Sequence, residues 1–504
     1  MPGRRPYAAL WVVGFLFWLA AIHWLRLPHW ATSIGWVALS GYLAFYLPVF
    51  VGLTRVAVHQ MGISVIFAAP VVWTGLELAR AHLLTGFSMA SLAHTQYRWI
   101  ELIQISDLVG EYGLCFVMMF VAGCLARMAP CGGQRMALWP ALPATALMAA
   151  VLAYGRESVA TSSPPPTARI ALIQGSIDIE LKNDPSQRDF IQEHYLELSR
   201  EAVARHGQVD LIVWPETMFR ETLVVFDDQA TLPEAWRAES PKLRDLSQAD
   251  FRRALGRAVA TTRAALAALA QQLNAALLLG IDTQAFSADG ARFFNSAALV
   301  RRDGSLSGRY DKMHRVLFGE YVPFADRFPW LQRFTPLPVS ISAGERPVSF
   351  SLAGLRIAPN ICYETVLAHV IRRHVRELAD RGEEPDVLIN LTNDGWFWGS
   401  SELDMHLVCG VFRAVECRKP LLIAANTGFS AWIDSNGRIL EQGPRRATGV
   451  ILAAVAAESR SSFYLDHGDW FAGSCLAGCL ILAAVAVAGR ARQRIGSSKN
   501  TLAG

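Results

Sequence analysis

The sequence predicts a polytopic α-helical membrane domain combined with an α/β layered domain, and two observations lead to this prediction. The first is that apolar residues collect at the two ends of the 504-residue chain. Overall 18% of the residues are charged, whereas soluble domains usually carry about 25%. The second is that short apolar runs of strand length alternate with helical patterns from Ala168 onward, which is typical of α/β domains.

The membrane prediction comes from six apolar stretches, because crossing a bilayer takes about 20 mostly apolar residues. They cover residues 8–25, 31–53, 61–79, 108–127, 136–154 and 471–489. Arg4 and Arg5 precede the first stretch, but its aromatic core and the lack of a small-residue cleavage site favour a retained helix over a signal peptide. We therefore expect a membrane domain over 1–156 with about five transmembrane helices, and a further helix at 471–489.

The basic residues of the short connecting segments predict the orientation in the membrane. With the N-terminus inside, more of them fall in inner segments than in outer ones. The inner segments hold Arg4, Arg5, Arg55, Arg127, Arg135, Arg490, Arg492, Arg494 and Lys499, and the outer ones hold Arg26, Arg80, Arg98 and Arg156. Both termini, including the tail 490–504, are then cytoplasmic, and the large polar segment lies on the outer side.

The polar segment begins with a linker over 157–167, which contains "SSPPPT", and continues as the α/β domain over 168–460. Strands are predicted in 168–175, 209–216, 275–282, 293–300, 355–364, 386–394, 420–428, 430–437 and 449–456. Helices are predicted near 186–206, 249–274, 365–381 and 402–417. The polar region 226–250 indicates an exposed insertion.

Composition excludes some classes of function. The net charge of +4, with no basic tract interleaved with aromatic residues, argues against a nucleic-acid partner. The eight cysteines show neither CxxC nor His/Cys spacing of the kind that binds metals, so we expect no metal and no other cofactor. Cys409 and Cys417 are separated by about 12 Å along one predicted helix, too far for a disulfide.

Three segments place reactive side chains beside apolar runs. Glu216 follows a strand in "LIVWPET", Lys312 and Glu320 lie in "GRYDKMHRVLFGEYVPF", and Cys362 ends a strand in "NICYE". Ligand sites of open α/β sheets gather at the carboxyl ends of strands. A thiol, a carboxylate and an amine together suit covalent acyl transfer, in which the carboxylate takes the thiol proton and the cation supports the oxyanion. A neighbouring cation should also lower the pKa of Cys362.

Each of these residues has a plainer explanation when taken alone. Cys362 could be a small buried hydrophobe, Glu216 a helix cap and Lys312 a surface lysine. Tyr363 and Glu364 could be ordinary turn residues. A thiol paired with a histidine is a further alternative, but no spacing singles out one of His314, His369 and His406.

The ordered motifs favour the catalytic interpretation. "WPET", "YDKMH" with "FGEYVP", and "NICYE" resemble the Glu-Lys-Cys triad of the nitrilase, or carbon-nitrogen hydrolase, superfamily. With the membrane flanks and "ELARAHLLTGF" at 77–87, essentially the whole chain resembles the bacterial apolipoprotein N-acyltransferases, the membrane-embedded branch. Supporting strings are "IQG" at 173–175, "FFNSA" at 293–297, "NLTNDGWF" at 390–397, "RAVECRKPLL" at 413–422 and "ANTG" at 425–428.

This resemblance implies a four-layer αββα sandwich and a role for each matching residue. Cys362 would carry the acyl group as a thioester, Glu216 would be the general base, and Lys312 would stabilise the oxyanion together with the backbone N–H of Tyr363. Glu320 would orient Lys312 or share the acid–base work. The remaining matches are Tyr363 and Glu364 beside the nucleophile, and Asn295, which would support the triad from behind.

The resemblance also implies the substrates. The acyl donor would be a phospholipid and the acceptor the free amine of a diacylglyceryl-cysteine lipoprotein, with Phe87 and Trp396 as substrate-binding residues. The enzyme would lie in the bacterial inner membrane, with its catalytic domain on the periplasmic side. Two alternatives stay open: a membrane-anchored amidase of the nitrilase type, in which water resolves the acyl-enzyme, and a lipid- or lipoprotein-binding relative without turnover. The multi-span anchor argues against the first, and the intact triad residues argue against the second.

Three features depart from the pattern of the family. Asn183 stands where an aromatic residue is expected, and Ser88 and Met89 replace the usual "PW" after "LTGF". The chain also begins about two apolar helices later than members of the family do. These departures concern the handling of substrates rather than the catalytic chemistry.

Overall fold

The structure is a computed structural model that describes residues 6–129, 136–160, 165–325, 327–334, 340–458 and 460–501. Arg4, Arg5 and Arg135, as well as residues 161–164 of the expected linker, lie outside the described residues. So do the side chains of Arg492, Arg494 and Lys499. The orientation inferred from these basic residues and the domain boundaries stay predictions.

Helices cover all six apolar stretches. The N-terminal ones are α1 Pro6–Ala21, α2 Thr32–Leu43, α3 Tyr46–Met61, α4 Val65–His82, α5 Ile100–Ile103, α6 Ser106–Val109, α7 Glu111–Met128 and α8 Ala141–Ala160. By length and hydropathy, three segments of the described chain are able to cross a membrane: Thr32–Met61, Glu111–Met128 and Trp470–Ala491. Helix α1 is apolar but shorter. The second predicted span thus extends further than expected, to Met61.

Helix α4 lies in the middle of this helical part. It packs against α7, α3 and the C-terminal helix, Trp470–Thr501. A small residue makes one of these contacts possible: a Cβ atom on Gly75 would lie 2.7 Å from the Cys479 sulfur. Helix α4 buries Glu77 and Arg80 as an ion pair, and Arg80 Nη1 also donates to the Met89 carbonyl at 2.8 Å, which offsets the cost of burying the two charges.

The middle of the chain forms two six-stranded sheets. In chain order the strands are β1 Ala168–Gln174, β2 Leu211–Phe226, β3 Ala276–Ser287, β4 Gly290–Val300, β5 Leu306–Asp311, β6 Phe350–Leu352, β7 Leu355–Ile361, β8 Val387–Thr392, β9 Leu421–Ala425, β10 Ala431–Ile433, β11 Ile439–Gln442 and β12 Gly449–Val455. Their orders are β12-β1-β2-β3-β4-β5 and β11-β10-β9-β8-β7-β6. Strands β1 to β3 are mutually parallel, as are β7 to β9.

The two sheets enclose one apolar core, to which Leu172, Val213 and Leu278 contribute from one side and Ile361 and Ile389 from the other. Helices cover the outer faces. The helices of this half of the chain are α9 Ile179–Asn183, α10 Arg188–His206, α11 Glu234–Glu239, α12 Pro241–Arg244, α13 Gln248–Leu273, α14 Ala368–Asp380, α15 Glu402–Cys417 and α16 Phe463–His467; α17 Trp470–Thr501, at the end of the chain, packs on α4 instead. Helices α10 and α13 pack on the first sheet, and α14 and α15 on the second. The expected αββα sandwich is confirmed.

The structure differs from the sequence prediction at the sheet edges. Strands β5, β6 and β11 were not predicted, because they are short and two of them are polar, and their pairing with a neighbouring strand stabilises them. The segment 226–250 is not simply exposed. It carries α11 and α12 and buries Leu232 in an apolar cluster with Phe251 and Phe286.

The helical part and the sandwich share one apolar cluster. Leu102, Ile103 and Leu114 pack in it together with Val411 and Phe412 of α15. The sandwich therefore packs directly against the helices.

Candidate active site

Cys362 lies at the end of β7, where the chain turns into a short 3-10 helix over Cys362–Val366. Its φ angle of 53° belongs to the left-handed region, which residues with a side chain seldom adopt. Two amides hold this turn, since Asn390 Nδ2 donates to the Cys362 carbonyl at 3.1 Å and to Asn360 Oδ1 at 2.8 Å. The turn leaves the thiol partly accessible to solvent.

Glu216 was predicted at a strand end, but it lies within β2. The register between β2 and β3 shifts between Trp214 and Phe219, and Thr217 has a φ angle of 53°. Gly280 on β3 makes room for this irregularity, because a Cβ atom there would lie 2.1 Å from the Pro215 carbonyl oxygen. Such a bulge redirects a side chain out of the regular alternation. It places the Glu216 carboxylate in the site rather than in the core.

The Glu216 carboxylate is buried and holds two hydrogen bonds. Its Oε1 accepts from Asn295 Nδ2 at 2.6 Å, and its Oε2 accepts from the backbone N–H of Asn393 at 3.0 Å. Asn295 thus contacts Glu216 directly, and its carbonyl also accepts from the backbone N–H of Lys312 at 2.9 Å.

Lys312 follows β5 directly, and its side chain is fully buried. Its Nζ donates to Glu320 Oε1 at 2.8 Å and lies 3.8 Å from Glu216 Oε1. Glu320 is held in turn by the backbone N–H of Val316, which donates to its Oε2 at 2.8 Å. The ammonium group therefore lies between two carboxylates and is closest to Glu320.

Glu364 has a structural position that the sequence did not reveal. It is completely buried. Its carboxylate accepts hydrogen bonds from the Tyr310 hydroxyl and from the backbone N–H groups of Met313, His314 and Ile361. Since these donors flank Lys312 on one side and Cys362 on the other, Glu364 fixes the two catalytic segments relative to each other.

The electrostatics of the site contradict one prediction. Burial raises the pKa of the Cys362 thiol well above its ordinary value, the Glu216 carboxylate raises it further, and Lys312 offsets only part of this. The expected lowering of this pKa by a neighbouring cation is therefore wrong, because removal of water from the thiolate outweighs the attraction of the ammonium group. The resting thiol is neutral and needs a base.

Glu216 is suited to be that base, and Lys312 is suited to remain a cation beside it. Burial raises the pKa of Glu216, although Lys312 and Lys182 oppose the shift. Burial disfavours the charge of Lys312, but the Glu320 carboxylate, with the other acidic groups of the site, raises its pKa above the ordinary value. Lys312 thus stays a cation, and Glu216 is a stronger proton acceptor than an exposed carboxylate.

The site adjoins an apolar cluster formed with the N-terminal helices. The Tyr363 hydroxyl donates to the Gly86 carbonyl at 3.0 Å, and Tyr363 packs against a cluster that contains Phe87, Trp24 and Leu367. Phe87, which was predicted to bind substrate, thus lies in the same apolar cluster as Tyr363. Trp396 is partly buried in a neighbouring 3-10 turn, Asp394–Phe397.

Phe397, rather than the predicted Trp396, contacts Trp24, edge to face with 5.0 Å between ring centroids. The sequence interpretation also missed the amides of Asn360, Asn390 and Asn393, although two of these lie in the string "NLTNDGWF".

A buried group behind Cys362 was missed as well. Asp394 Oδ1 accepts from Thr392 Oγ1 at 2.8 Å and lies 3.1 Å from His406 Nδ1. With Glu402 these side chains bring three possible metal ligands within 4.8 Å of one another. Burial and the Asp394 carboxylate raise the pKa of Glu402 well above its ordinary value.

Two family models match the chain. The model described as carbon-nitrogen hydrolase matches residues 169–463, and the model described as apolipoprotein N-acyltransferase N-terminal domain matches residues 2–124. The first contains all three predicted triad residues, and the second covers the helices that contact Tyr363.

Curated relatives are similar over most of the chain. An apolipoprotein N-acyltransferase from Geobacter metallireducens is 35% identical, over 89% of this chain and 79% of the relative. One from Rhodopirellula baltica is 32% identical, over 93% of this chain and 87% of the relative.

Solved structures cover the sandwich. An amidase of the nitrilase superfamily from Nesterenkonia is 16% identical, with a TM-score of 0.38, over 60% of this chain and 95% of its own. A carbon-nitrogen hydrolase superfamily protein from Xanthomonas campestris is 21% identical, with a TM-score of 0.37, over 57% of this chain and 91% of its own.

Proposed function

The chain belongs to the apolipoprotein N-acyltransferase family, and from this premise we propose how it works: it moves a fatty acyl group from a phospholipid, through a thioester on Cys362, to the N-terminal amine of a diacylglyceryl-cysteine lipoprotein. Glu216, Lys312 and Cys362 are the catalytic residues of this proposal. Glu320, Glu364, Asn295 and Tyr363 support them.

One observation carries the proposal: Tyr363, the residue after Cys362, packs into the apolar cluster of the N-terminal helices while Glu216 and Lys312 lie on the polar side. The nucleophile is therefore at a boundary between apolar and polar surroundings. A lipid ester requires such a boundary, because its acyl chain must stay out of water while its carbonyl meets charged groups.

The first half-reaction forms the thioester. Glu216 takes the thiol proton as sulfur attacks the ester carbonyl, and negative charge develops on the carbonyl oxygen. The ammonium group of Lys312 and the backbone N–H of Tyr363 stabilise this oxyanion. As the intermediate collapses, the bond to the glycerol oxygen breaks, Glu216 returns its proton to that oxygen, and a lysophospholipid leaves.

The second half-reaction transfers the acyl group to the acceptor. The neutral amine attacks the thioester carbonyl through the same oxyanion site, and Glu216 takes the proton that the nitrogen loses. An amide bond forms, the carbon–sulfur bond breaks, and the thiolate receives the proton from Glu216. Because the pKa of Cys362 is raised, its thiolate is a poor leaving group, and a proton from Glu216 assists its departure. Glu216 therefore serves as base and acid in turn.

A membrane-anchored amidase would use the same three side chains with water as the second nucleophile. The apolar cluster beside Cys362 and the match of residues 2–124 favour the transferase. A lipid-binding relative without turnover is disfavoured by the triad geometry, in which Lys312 Nζ lies 3.8 Å from Glu216.

We further propose that the protein lies in the bacterial inner membrane with its sandwich on the periplasmic side and its termini in the cytoplasm. The even number of apolar stretches in the sequence and the distribution of basic residues support this placement, and three helical segments of the described chain are long enough to cross a membrane. Cysteine labelling in intact cells with a membrane-impermeant reagent, at single cysteines placed in the sandwich and in the tail, would test it.

The decisive experiment is intact mass spectrometry of the purified protein after incubation with a phospholipid in detergent. We expect the mass of one fatty acyl group to be added in the wild type and not in Cys362→Ser. A diacylglyceryl-cysteine peptide should then remove this mass and become N-acylated. Release of free fatty acid in place of the acylated peptide would contradict the transferase and indicate a hydrolase.

A further inference from the structure

Two basic side chains lie beside the triad and take no part in the acyl transfer described above. Lys182 is in the short helix α9, which follows the carboxyl end of β1, and Arg220 is on β2 beyond the bulge at Glu216. Both side chains are partly buried. Neither was singled out by the sequence.

These two residues form one connected unit. The Lys182 ammonium group donates to the Thr217 hydroxyl, Arg220 Nη1 donates to the Thr217 carbonyl at 3.1 Å, and Arg220 Nη2 donates to the Lys182 carbonyl at 2.9 Å. The Arg220 Nε atom is buried and has no hydrogen-bond partner in the described structure. Every acceptor that the two cations do have is neutral.

The protein does not neutralise this pair of charges. Within the described part of the chain, no carboxylate lies within 4.0 Å of Lys182 or Arg220; Glu216 and Asp282 act on Lys182, and Asp282 on Arg220, only at longer range. Burial lowers the pKa of both side chains. Partly buried cations without an anionic partner are costly, and a bound anion removes that cost.

The pair is adjacent to the reacting groups. Thr217, which both cations contact, directly follows Glu216 in the chain, and Lys182 interacts electrostatically with Glu216 and Cys362. In a glycerophospholipid the phosphodiester is separated from the ester carbonyls by the glycerol unit alone. An ester carbonyl at Cys362 therefore brings the phosphate into this region.

We propose that Lys182 and Arg220 form a phosphate subsite that holds the phosphodiester of the donor lipid while its ester carbonyl lies at Cys362. This inference rests on the proposed phospholipid donor. A guanidinium group with a free Nε and an ammonium group beside it are the donors that proteins use for phosphate. The acceptor lipoprotein has no phosphate in its diacylglyceryl group, so the subsite acts on the first half-reaction.

The test compares two donors with the same acyl chains, phosphatidylglycerol and diacylglycerol, in single-turnover acylation of the full-length protein in detergent. The quantity measured is the ratio of the two acylation rates. We expect Arg220→Gln and Lys182→Gln each to lower this ratio by about 10- to 100-fold, the effect of losing one hydrogen bond to a charged group. Arg220→Lys keeps the charge and should lose less.

Arg205→Gln is the matched control, because Arg205 is exposed on α10 and its replacement removes the same charge. Its ratio should equal that of the wild type. Added inorganic phosphate should slow acylation by phosphatidylglycerol in the wild type more than in Arg220→Gln.

Two results would overturn the inference while leaving the proposed function intact. An equal fall with both donors would mean that the cations act on Glu216 or on folding. If inorganic phosphate slows acylation in the wild type but the variants keep the wild-type ratio of the two acylation rates, the site binds free phosphate and not the lipid. Wild-type protein that neither donor acylates would instead contradict the proposed function itself.

Discussion

Two buried ionic clusters of this molecule each combine one cation with two glutamates, but they differ in the distances between these charges. Where α15 meets the N-terminal helices, Arg413 Nη2 lies 2.9 Å from Glu111, and Arg413 also pairs with Glu416 at 2.7 Å. In the active site, Lys312 lies 2.8 Å from Glu320 but 3.8 Å from Glu216. The first cluster contains only close ion pairs, whereas the second holds one carboxylate at a distance.

The difference in distance matches the roles of the two clusters: the first holds α15 against the N-terminal helices, and the second contains the proposed base. Close pairing of buried charges offsets the cost of removing them from water and leaves little capacity for change. A second pair, Arg418 with Asp107, adds to the docking, with a distance of 2.5 Å and a hydrogen bond of 2.6 Å from Arg418 to Gln104. In the active site Glu216 lies farther from its cation, and burial raises its pKa, which gives it the basicity that a neutral thiol requires.

The largest expected effect is that of Cys362→Ser, which removes the thiol and leaves both ionic clusters intact. Acyl transfer should fall by roughly 10⁴-fold or more, as for other covalent catalysts that lose their nucleophile. The measurement is the rate of N-acylation of a diacylglyceryl-cysteine peptide, with the unfolding temperature as the control. Activity retained in the serine variant would contradict the covalent mechanism.

Lys312→Met should lower the rate of acylation by about 10²- to 10³-fold, the usual effect of removing one oxyanion donor. This variant also leaves Glu216 and Glu320 without their cation, so part of the loss can come from instability. Glu320→Gln separates the loss of the oxyanion donor from the loss of stability, because it alters the charge cluster but keeps Lys312 and a hydrogen-bond partner for it. A rate in Lys312→Met close to that of the wild type would exclude Lys312 from the oxyanion site.

Arg413→Met tests the docking cluster. It leaves Glu416 buried without its cation and Glu111 with His94, at 3.0 Å, as its remaining basic partner, and it should lower the free energy of unfolding by about 3–5 kcal/mol. The acylation rate per folded molecule should stay near that of the wild type, since Arg413 does not touch the triad. Denaturant unfolding in detergent and single-turnover acylation measure the two quantities. A specific loss of acylation without a loss of stability would show that the two clusters are coupled.

The smallest effect is a shift in pH dependence. Asn295 donates to Glu216 and so stabilises the charged carboxylate, which opposes the rise in its pKa. The base must be deprotonated to act, so acylation falls as the pH drops through the raised pKa of Glu216. Asn295→Ala should raise this pKa further and move the acidic limb of the rate profile to higher pH. A limb that stays in place, or moves to lower pH, would contradict this assignment.

The sequence was sufficient for the fold because hydropathy and motif order are local properties. The six apolar stretches all contain helices, and the buried strands β1, β3, β4 and β8 follow from apolar runs bounded by turns. Strand β5, with the sequence "LSGRYD", has no such run and forms because β4 pairs with it. Its position matters, since it leads directly to Lys312.

The candidate site was predictable to the extent that its residues lie in recognisable strings. Glu216, Lys312 and Cys362 were singled out, and the structure brings them together. Glu364 was named without its role, because most of the hydrogen bonds that it accepts come from a segment about fifty residues away along the chain, as for the Tyr310 hydroxyl with a separation of 54. Lys182 and Arg220 were not singled out, although Lys182 directly precedes Asn183, the position at which an aromatic residue was expected.

The sequence by itself determined which residues are available and in which order: the apolar spans, the strands that end in functional side chains, and the acid, amine and thiol of the triad. The tertiary structure decided how water and charge are distributed around them. Glu111 and Arg413 meet across 302 positions of the chain, and Cys362 has a raised rather than a lowered pKa. The physical reason is that desolvation and Coulomb interactions depend on every neighbour in space, whereas a sequence pattern contains only the neighbours along the chain.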